Sequence, residues 1–438
     1  MTRARSFFIE TYGCEMNKSD SLDLRLLLEE RGCVRAGSAE EADIVVLNTC
    51  SVRENAEERI VGRLGHYRSL KTRRRNGPVI VFAGCMAQEQ QEKILESFPE
   101  IGVVAGTYEE MRIPEAVDLY ERTGEPVVIT GREEFAFPRF GGKRAVAASV
   151  FVPIVMGCSN FCSYCVVPHV RGPEISRRSA EILDEVRALA DGGVVEITLL
   201  GQNVNAYGRD SGDISFLALL ERVSEIEGIR WIRFLTSHPR DFDEEVIRGI
   251  GALDKVARHV HLPLQSGSDR ILSLMNRHYD MRRYRRVFED IARYMPGSAV
   301  TSDLIVGFPT ETEGDFRLTL DAVEEFRFDE SFTYRYSPRP FTPSRLMEQV
   351  PPEVAGRRLE ELIDLQRAVT RERSRKEIGE VVTALVEGES RKDPEELLCR
   401  TSKGKPLVVR TGSRPGTFIR VRITGLSGAT LRGVEAVP

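Results

Sequence analysis

The sequence predicts an α/β protein in three parts: an N-terminal βαβ parallel-sheet domain over residues 1–140, a central partial (β/α)6 barrel of the TIM type over 145–372, and a small all-β barrel over 373–438. Three observations predict it. Short apolar runs alternate with amphipathic ones through most of the chain, as in βαβ units. A turn-rich stretch with Gly131, Pro138, Gly141 and Gly142 interrupts that alternation once. Beyond Ile378 the pattern changes to short strands separated by Gly and Pro turns. A length of 438 residues suits two or three domains at about 150 residues each.

In the first part, Ser6–Thr11, Asp43–Asn48, Pro78–Ala83 and Gly102–Ala105 read as buried parallel strands, with helices over Lys18–Arg31, Glu54–Leu70 and Gln88–Phe98. In the second, strands are expected at Ala148–Met156, Val194–Leu200, Ile229–Leu235, Val260–Leu264, Ala299–Val306 and Ser331–Tyr336. Helices such as Ala180–Ala190, Phe216–Ile226, Arg282–Tyr294 and Glu313–Phe326 fill the intervals, and a helix near Pro352–Gln366 closes the segment. Chemistry in such barrels sits at the C-terminal ends of the strands. The last part offers Val381–Glu387, Leu397–Thr401, Leu407–Val409, Thr417–Ile423 and Thr430–Glu435. Five short strands predict a closed barrel of the OB type, a common reader of nucleic acid.

Hydrophobic residues make up 41% of the chain, ordinary for a protein with real cores. No apolar run approaches the roughly 20 residues that cross a bilayer, so no membrane partner is expected. Met1-Thr2-Arg3-Ala4-Arg5 leads straight into a strand, unlike a signal peptide. The expected compartment is cytoplasmic, where thiols stay reduced, so the 8 cysteines point to metal or catalysis before disulfides. The net charge of −5 is uneven: residues 371–438 carry 14 Lys/Arg against 9 Asp/Glu, a local +5 on a body of −10. A basic terminal module on an acidic body is the asymmetry of an appended polyanion-binding domain.

The first barrel strand runs into Gly157-Cys158-Ser159-Asn160-Phe161-Cys162-Ser163-Tyr164-Cys165. Three soft thiolates in one loop, with no fourth cysteine nearby, suit a [4Fe-4S] cluster with one iron left open to a substrate. The expected ligand is S-adenosylmethionine (SAM), whose reductive cleavage releases a deoxyadenosyl radical. The competing reading is a zinc site completed by His169. The spacing, placed after strand one of six βα units, matches the radical-SAM superfamily signature. Other strand ends supply candidate SAM contacts: Gln202 and Asn203 after strand two, Gln265 and Ser266 after strand four, and Asp303 within strand five.

Cys14, Cys50 and Cys85 each follow a predicted N-terminal strand and precede a helix. In a parallel sheet those loops open at one edge, so the three should converge where helix N-termini favour thiolates. They read as ligands of a second [4Fe-4S] cluster. Cys33 and Cys399 read as ordinary buried thiols.

Over essentially its whole length the sequence resembles the methylthiotransferases, and within them the MiaB-type enzymes that thiolate tRNA. The resemblance rests on Asn48-Thr49-Cys50-Ser51-Val52-Arg53-Glu54, Leu199-Leu200-Gly201-Gln202-Asn203-Val204-Asn205, Thr236-Ser237-His238-Pro239, Pro263-Leu264-Gln265-Ser266-Gly267-Ser268 and Asp303-Leu304-Ile305-Val306-Gly307-Phe308-Pro309. It implies a methylthiotransferase domain, a radical-SAM core and a C-terminal TRAM domain that grips RNA. It assigns Cys14, Cys50 and Cys85 to an auxiliary cluster and Cys158, Cys162 and Cys165 to the SAM cluster. The implied reaction inserts a methylthio group at carbon 2 of an isopentenyl-adenosine next to the anticodon of tRNA. Implied partners are tRNA and an electron donor such as flavodoxin or ferredoxin; the sulfur source is not named, and a monomer is expected. The Ser-Val pair after Cys50 resembles the isopentenyl-adenosine branch, and Arg53 is a candidate phosphate contact. Rival readings are methylthiotransferases acting on threonylcarbamoyl-adenosine or on a ribosomal aspartate, and a non-catalytic iron–sulfur carrier or RNA-binding protein. The chain departs from the family at Glu15 (usually Gln), His169 (commonly Tyr), and Thr310 and Phe341 (both frequently Gly).

Overall fold

The computed structural model describes residues 4–51, 54–73, 77–132 and 135–436. Val52 and Arg53 lie outside them, and so does the proposed phosphate contact of Arg53. The N-terminal part is one sheet of β1 (Ser6–Thr11), β2 (Val34–Arg35), β3 (Ile44–Thr49), β4 (Val79–Gly84), β5 (Ile101–Ala105) and β6 (Val127–Ile129). Its order is β2-β1-β3-β4-β5-β6, with every neighbour parallel. Strands β3 and β4 are buried at every position, which is why they read as unbroken apolar runs. Alternate residues supply two cores. Val45, Leu47, Ile80 and Phe82 pack on Ile60, Leu64 and Tyr67 of one helix, while Ile44, Val46 and Val81 pack on Leu24 and Leu28 of another.

The flanking helices are α1 (Glu15–Glu30), α2 (Glu54–Arg73), α3 (Cys85–Gln90), α4 (Ile94–Ser97) and α5 (Ile113–Thr123). The helix expected over Gln88–Phe98 is broken in two, because Gln91 takes a left-handed φ of 52° and reverses the chain. Strands β2 and β6 and helix α5 were not expected. Pro114 stands in the first turn of α5, where its missing N–H costs nothing, and Gly124 caps the end at φ 74°.

The central part has β7 (Ser149–Pro153), the short pair β8 (Val155–Met156) and β9 (Ile175–Ser176), then β10 (Glu196–Leu200), β11 (Trp231–Phe234), β12 (His259–His261), β13 (Ala299–Val306) and β14 (Glu330–Arg335). The strand expected over Ala148–Met156 is interrupted: β7 stops at Pro153, and β8 turns away to pair with β9. The other six strands run parallel in sequential order as two halves, β7-β10-β11 and β12-β13-β14. The halves are joined through the Ile232–Val256 bridge and a Ser237 N–H to His261 O bond of 3.3 Å. Helices α6 (Val167–Val170), α7 (Ser179–Asp191), α8 (Phe216–Ser224), α9 (Glu244–Gly251), α10 (Asp269–Leu274), α11 (Met281–Tyr294) and α12 (Glu313–Phe326) connect them. One continuous core fills this part. The last helix, α13, spans Pro352–Arg375, longer than expected.

The C-terminal part is a closed barrel of β15 (Val381–Glu389), β16 (Leu397–Thr401), β17 (Pro406–Arg410), β18 (Phe418–Ser427) and β19 (Thr430–Glu435), in the order β15-β16-β17-β19-β18. Its small core holds Val386, Cys399, Leu407 and Val421. It docks under the central barrel, at the N-terminal ends of the strands. Trp231 meets Phe418 edge-on at 4.8 Å, and Arg230 lies 4.0 Å over the Phe418 ring. Arg233 donates to Thr401 O at 2.8 Å, and Lys405 pairs with Asp329 at 2.9 Å. The cysteine loops are at the other end of the barrel. No helix among the described residues is long and apolar enough to cross a membrane.

Candidate metal centres

Strands β1, β3 and β4 are adjacent, in register, and each delivers a cysteine at its C-terminal end. Cys14 caps α1, Cys50 follows Thr49, and Cys85 is the first residue of α3. Two glycines let these loops close. A Cβ on Gly13, at φ 138°, would sit 2.4 Å from Cys50 Cβ. A Cβ on Gly84, at φ 90°, would sit 2.5 Å from Thr49 O. Buried amides lock the edge: Asn17 Nδ2 donates to Asn48 Oδ1 and to Thr49 O, each at 3.0 Å, and Asn48 Nδ2 returns a bond to Asn17 O at 2.9 Å. A hydrogen bond from Cys50 is the largest influence on Cys14; it outweighs burial and, with the charge of Arg171, brings the thiol down to about 6. Burial pushes Cys85 upward. Glu15 beside Cys14 is paired with Lys18 at 2.9 Å.

The barrel loop is equally constrained. A Cβ on Gly157, at φ 78°, would lie 2.0 Å from Pro173 O, so only glycine lets Cys158 donate its N–H to Gly172 O at 3.0 Å. Cys165 N–H donates to Cys162 O at 2.9 Å, curling the loop. Burial raises the Cys158 thiol to about 11 and the Cys165 thiol to about 12, the latter reinforced by negative charge on Cys162. Buried thiols of this kind ionise only when a bound cation takes the place of water. Arg277, itself buried, donates to Cys162 Sγ at 3.4 Å and to Tyr164 Oη at 3.4 Å.

No group of three His, Cys, Asp or Glu side chains among the described residues closes on a single metal ion. The His169 ring stands between those of Phe161 and Phe341.

The two cysteine sets share a wall. Cys85 packs against Val166 and Val170 of the barrel loop. The next residue, Arg171, is buried and donates to Cys85 Sγ at 3.3 Å and to Asp20 Oδ2 at 2.7 Å. Sequence reasoning missed Arg171 and Arg277, because each meets its sulfur only through long-range packing.

Polar side chains at the strand ends divide into two groups. Gln202 Oε1, Asn203 Oδ1, Ser237 Oγ, His238 Nε2 and Gln265 Oε1 are buried without a hydrogen-bond partner. Orphaned polar atoms at successive strand ends fit a polar ligand at the barrel mouth. Asn203 uses its Nδ2 to hold Asp241 at 2.9 Å. Asp303 sits beside His261 Nε2 at 3.3 Å. Ser266 differs: its hydroxyl accepts from Ser268 N at 3.2 Å and lies 3.4 Å from Thr319 Oγ1, so it braces the loop.

Comparison with known proteins follows the same division. Residues 6–106 match the "Uncharacterized protein family UPF0004", 152–323 the "Radical SAM superfamily" and 375–434 the "TRAM domain". The chain is 44% identical to a tRNA-2-methylthio-N(6)-dimethylallyladenosine synthase of Moorella thermoacetica, covering 99% of each chain. It is 40% identical to the protein of that name from Desulforamulus reducens, over 100% of this chain and 97% of the other. The chain belongs to the tRNA-2-methylthio-N(6)-dimethylallyladenosine synthase family. Among solved structures its fold is similar to the radical S-adenosylmethionine methyltransferase TsrM of Kitasatospora setae. The TM-score there is 0.55 at 16% identity, covering 78% of this chain and 74% of that one. Against the cobalamin-dependent radical enzyme OxsB the TM-score is 0.51 at 11% identity, over 83% and 56%.

Thr310 and Phe341, the two positions where the family resemblance implies glycine, have left-handed φ values of 64° and 65°.

Proposed function

We propose that this chain is a radical-SAM methylthiotransferase that inserts a methylthio group at carbon 2 of N6-dimethylallyladenosine beside the anticodon of tRNA. Cys158, Cys162 and Cys165 hold the [4Fe-4S] cluster that takes SAM, and Cys14, Cys50 and Cys85 hold the second. When bound, the first cluster with SAM supplies reductive cleavage that activates the base, and the second supplies the place where sulfur is carried. The observation that carries the reading is the shared wall: two cysteine triads on separate elements, joined through Cys85, Val170 and Arg171.

The chain's own residues position and shield. Arg171 and Arg277 each set a guanidinium against one ligand sulfur, offsetting the negative charge that three buried thiolates accumulate. Gln202, Asn203 and Gln265, with Asp303 nearby, offer the polar atoms that bind SAM, while Ser266 holds their loop. The small barrel, with Arg420 and Arg422 outward on β18, contacts RNA phosphate. The reductant is a flavodoxin or ferredoxin, and the enzyme works as a cytoplasmic monomer. Neither rival methylthiotransferase reading has support from the full-length relatives, whose names specify dimethylallyladenosine.

The test is anaerobic reconstitution followed by incubation with SAM, reductant and tRNA bearing N6-dimethylallyladenosine. Formation of the 2-methylthio nucleoside supports the reading. Its absence, with methylthiolation of threonylcarbamoyl-adenosine or a ribosomal aspartate instead, overturns it.

A further inference from the structure

We propose that Phe341, His169 and Phe161 form an aromatic ledge on which the target adenine stacks after leaving its RNA strand. The inference rests on the proposed function and deepens it by naming the surface that receives the base.

The three rings come from three places and meet beside the cysteine loops. Phe161 lies between Cys158 and Cys162. His169 belongs to α6, whose Val170 packs on Cys85 of the other triad. Phe341 sits on the loop after β14, which is stitched to the cysteine loop: Ser344 N and Ser344 Oγ both donate to Ser163 O, at 3.1 and 2.8 Å. Ring centroids are 6.4 Å apart for Phe161–His169 and 5.8 Å for His169–Phe341. The ledge therefore adjoins both triads, where a base must lie to meet both.

The two phenylalanines are held against their own preferences. Both take left-handed backbone, φ 48° at Phe161 and 65° at Phe341, which a bulky residue adopts rarely. Neither gains a core in return, for Phe161 is 55% and Phe341 62% exposed. A strained backbone that presents a large ring to solvent is explained by a ligand that covers the ring.

The occupant that fits is a purine. Carbon 2 of an adenine stacked in an RNA loop is reached by extruding the base, and an extruded base is held by stacking on aromatic faces. Cations needed for the flanking phosphates are on hand: Arg345 follows Phe341 on the same loop, and Arg132 donates to His169 O. Burial, then the charge of Arg132, lowers the His169 pKa, which keeps its ring neutral at physiological pH.

The experiment uses reconstituted full-length enzyme and an anticodon stem-loop carrying N6-dimethylallyladenosine, with a second stem-loop abasic at that position. Phe341→Gly removes the ring and suits the backbone; Phe341→Tyr retains a stacking face. Iron content and melting temperature of each variant verify folding. The ledge predicts that Phe341→Gly weakens binding of the dimethylallyl stem-loop about tenfold. Phe341→Tyr should stay within about twofold, and the abasic stem-loop should bind wild type and Phe341→Gly alike. Equal loss on the abasic RNA, unchanged affinity for the modified RNA, or a defect confined to reduction by the electron donor would overturn it. These affinities do not depend on turnover, so failure of wild type to thiolate the stem-loop would count against the proposed function and not be mistaken for failure of the ledge.

Discussion

Arg171 Nε lies 3.3 Å from Cys85 Sγ, so a guanidinium rooted in the first barrel loop ends against a sulfur of the N-terminal sheet. Its other arm meets Asp20 at 2.7 Å, with both side chains buried. Replacing Arg171 by Gln leaves the Asp20 carboxylate uncompensated inside the protein, a loss of about 3–5 kcal/mol for a buried pair. Adding Asp20→Asn should recover part of that loss, because both charges are then gone. Urea unfolding of the two singles and the double measures the coupling; strictly additive effects would mean that the pair is not energetically linked.

Gly84 gives the sheet edge its own test. The alanine Cβ would lie 2.5 Å from Thr49 O on a backbone at φ 90°, so Thr49 and the adjoining Cys50 must shift. Gly84→Ala should lose about half the bound iron, that of the second centre, while the signal of the barrel cluster persists in electron paramagnetic resonance. Full iron content in a folded Gly84→Ala protein would show that the edge tolerates displacement.

Much of this was legible beforehand. Strands β3 and β4 are buried on both faces, and a cysteine follows each of β1, β3 and β4, so the sheet and its edge followed from pattern alone. The break of β7 at Pro153 was less visible, because the apolar run continues through Val155 and Met156. Arg171 and Arg277 were invisible for another reason: nothing local distinguishes them from surface arginines, and their sulfurs arrive from 86 and 115 residues away. Ser266, read as a candidate SAM contact, also braces its own turn, as a serine at a strand end can.

The loop after β11 predicts an acid-side pH dependence. Burial alone would raise the Asp241 carboxyl, but hydrogen bonds from Arg240, Arg209 and Asn203 pull it down to about 2. A depressed folded-state pKa stabilises fully above the unfolded value of about 3.9, and that contribution is lost as pH falls through about 2. Wild type should exceed Asp241→Asn by roughly 2 kcal/mol near pH 5, and the gap should shrink as pH falls through this window. A gap constant from pH 5 to 2 would contradict the ionised assignment.

The small barrel is more than an appendage. Its Thr401 and Ser402 carbonyls accept from Arg233 at the foot of β11, so removing it would strip a buried arginine of partners. Charge reversal is the cleaner probe of RNA contact. Arg420 and Arg422 alternate outward on β18 with buried Val421 between them. Arg420→Glu with Arg422→Glu should weaken tRNA binding and flatten the slope of log K against log salt by about 2, from the counterion release of two phosphate contacts. An unchanged slope would place the RNA on another face.

The central claim is that two cysteine triads hold two clusters with separate duties. The most direct measurement is product analysis of reconstituted enzyme in which Cys14, Cys50 and Cys85 are all changed to Ala. The protein should retain about half its iron and still form deoxyadenosine from SAM, yet leave dimethylallyladenosine in tRNA without a methylthio group. Methylthiolated adenosine produced by that triple variant would contradict the account.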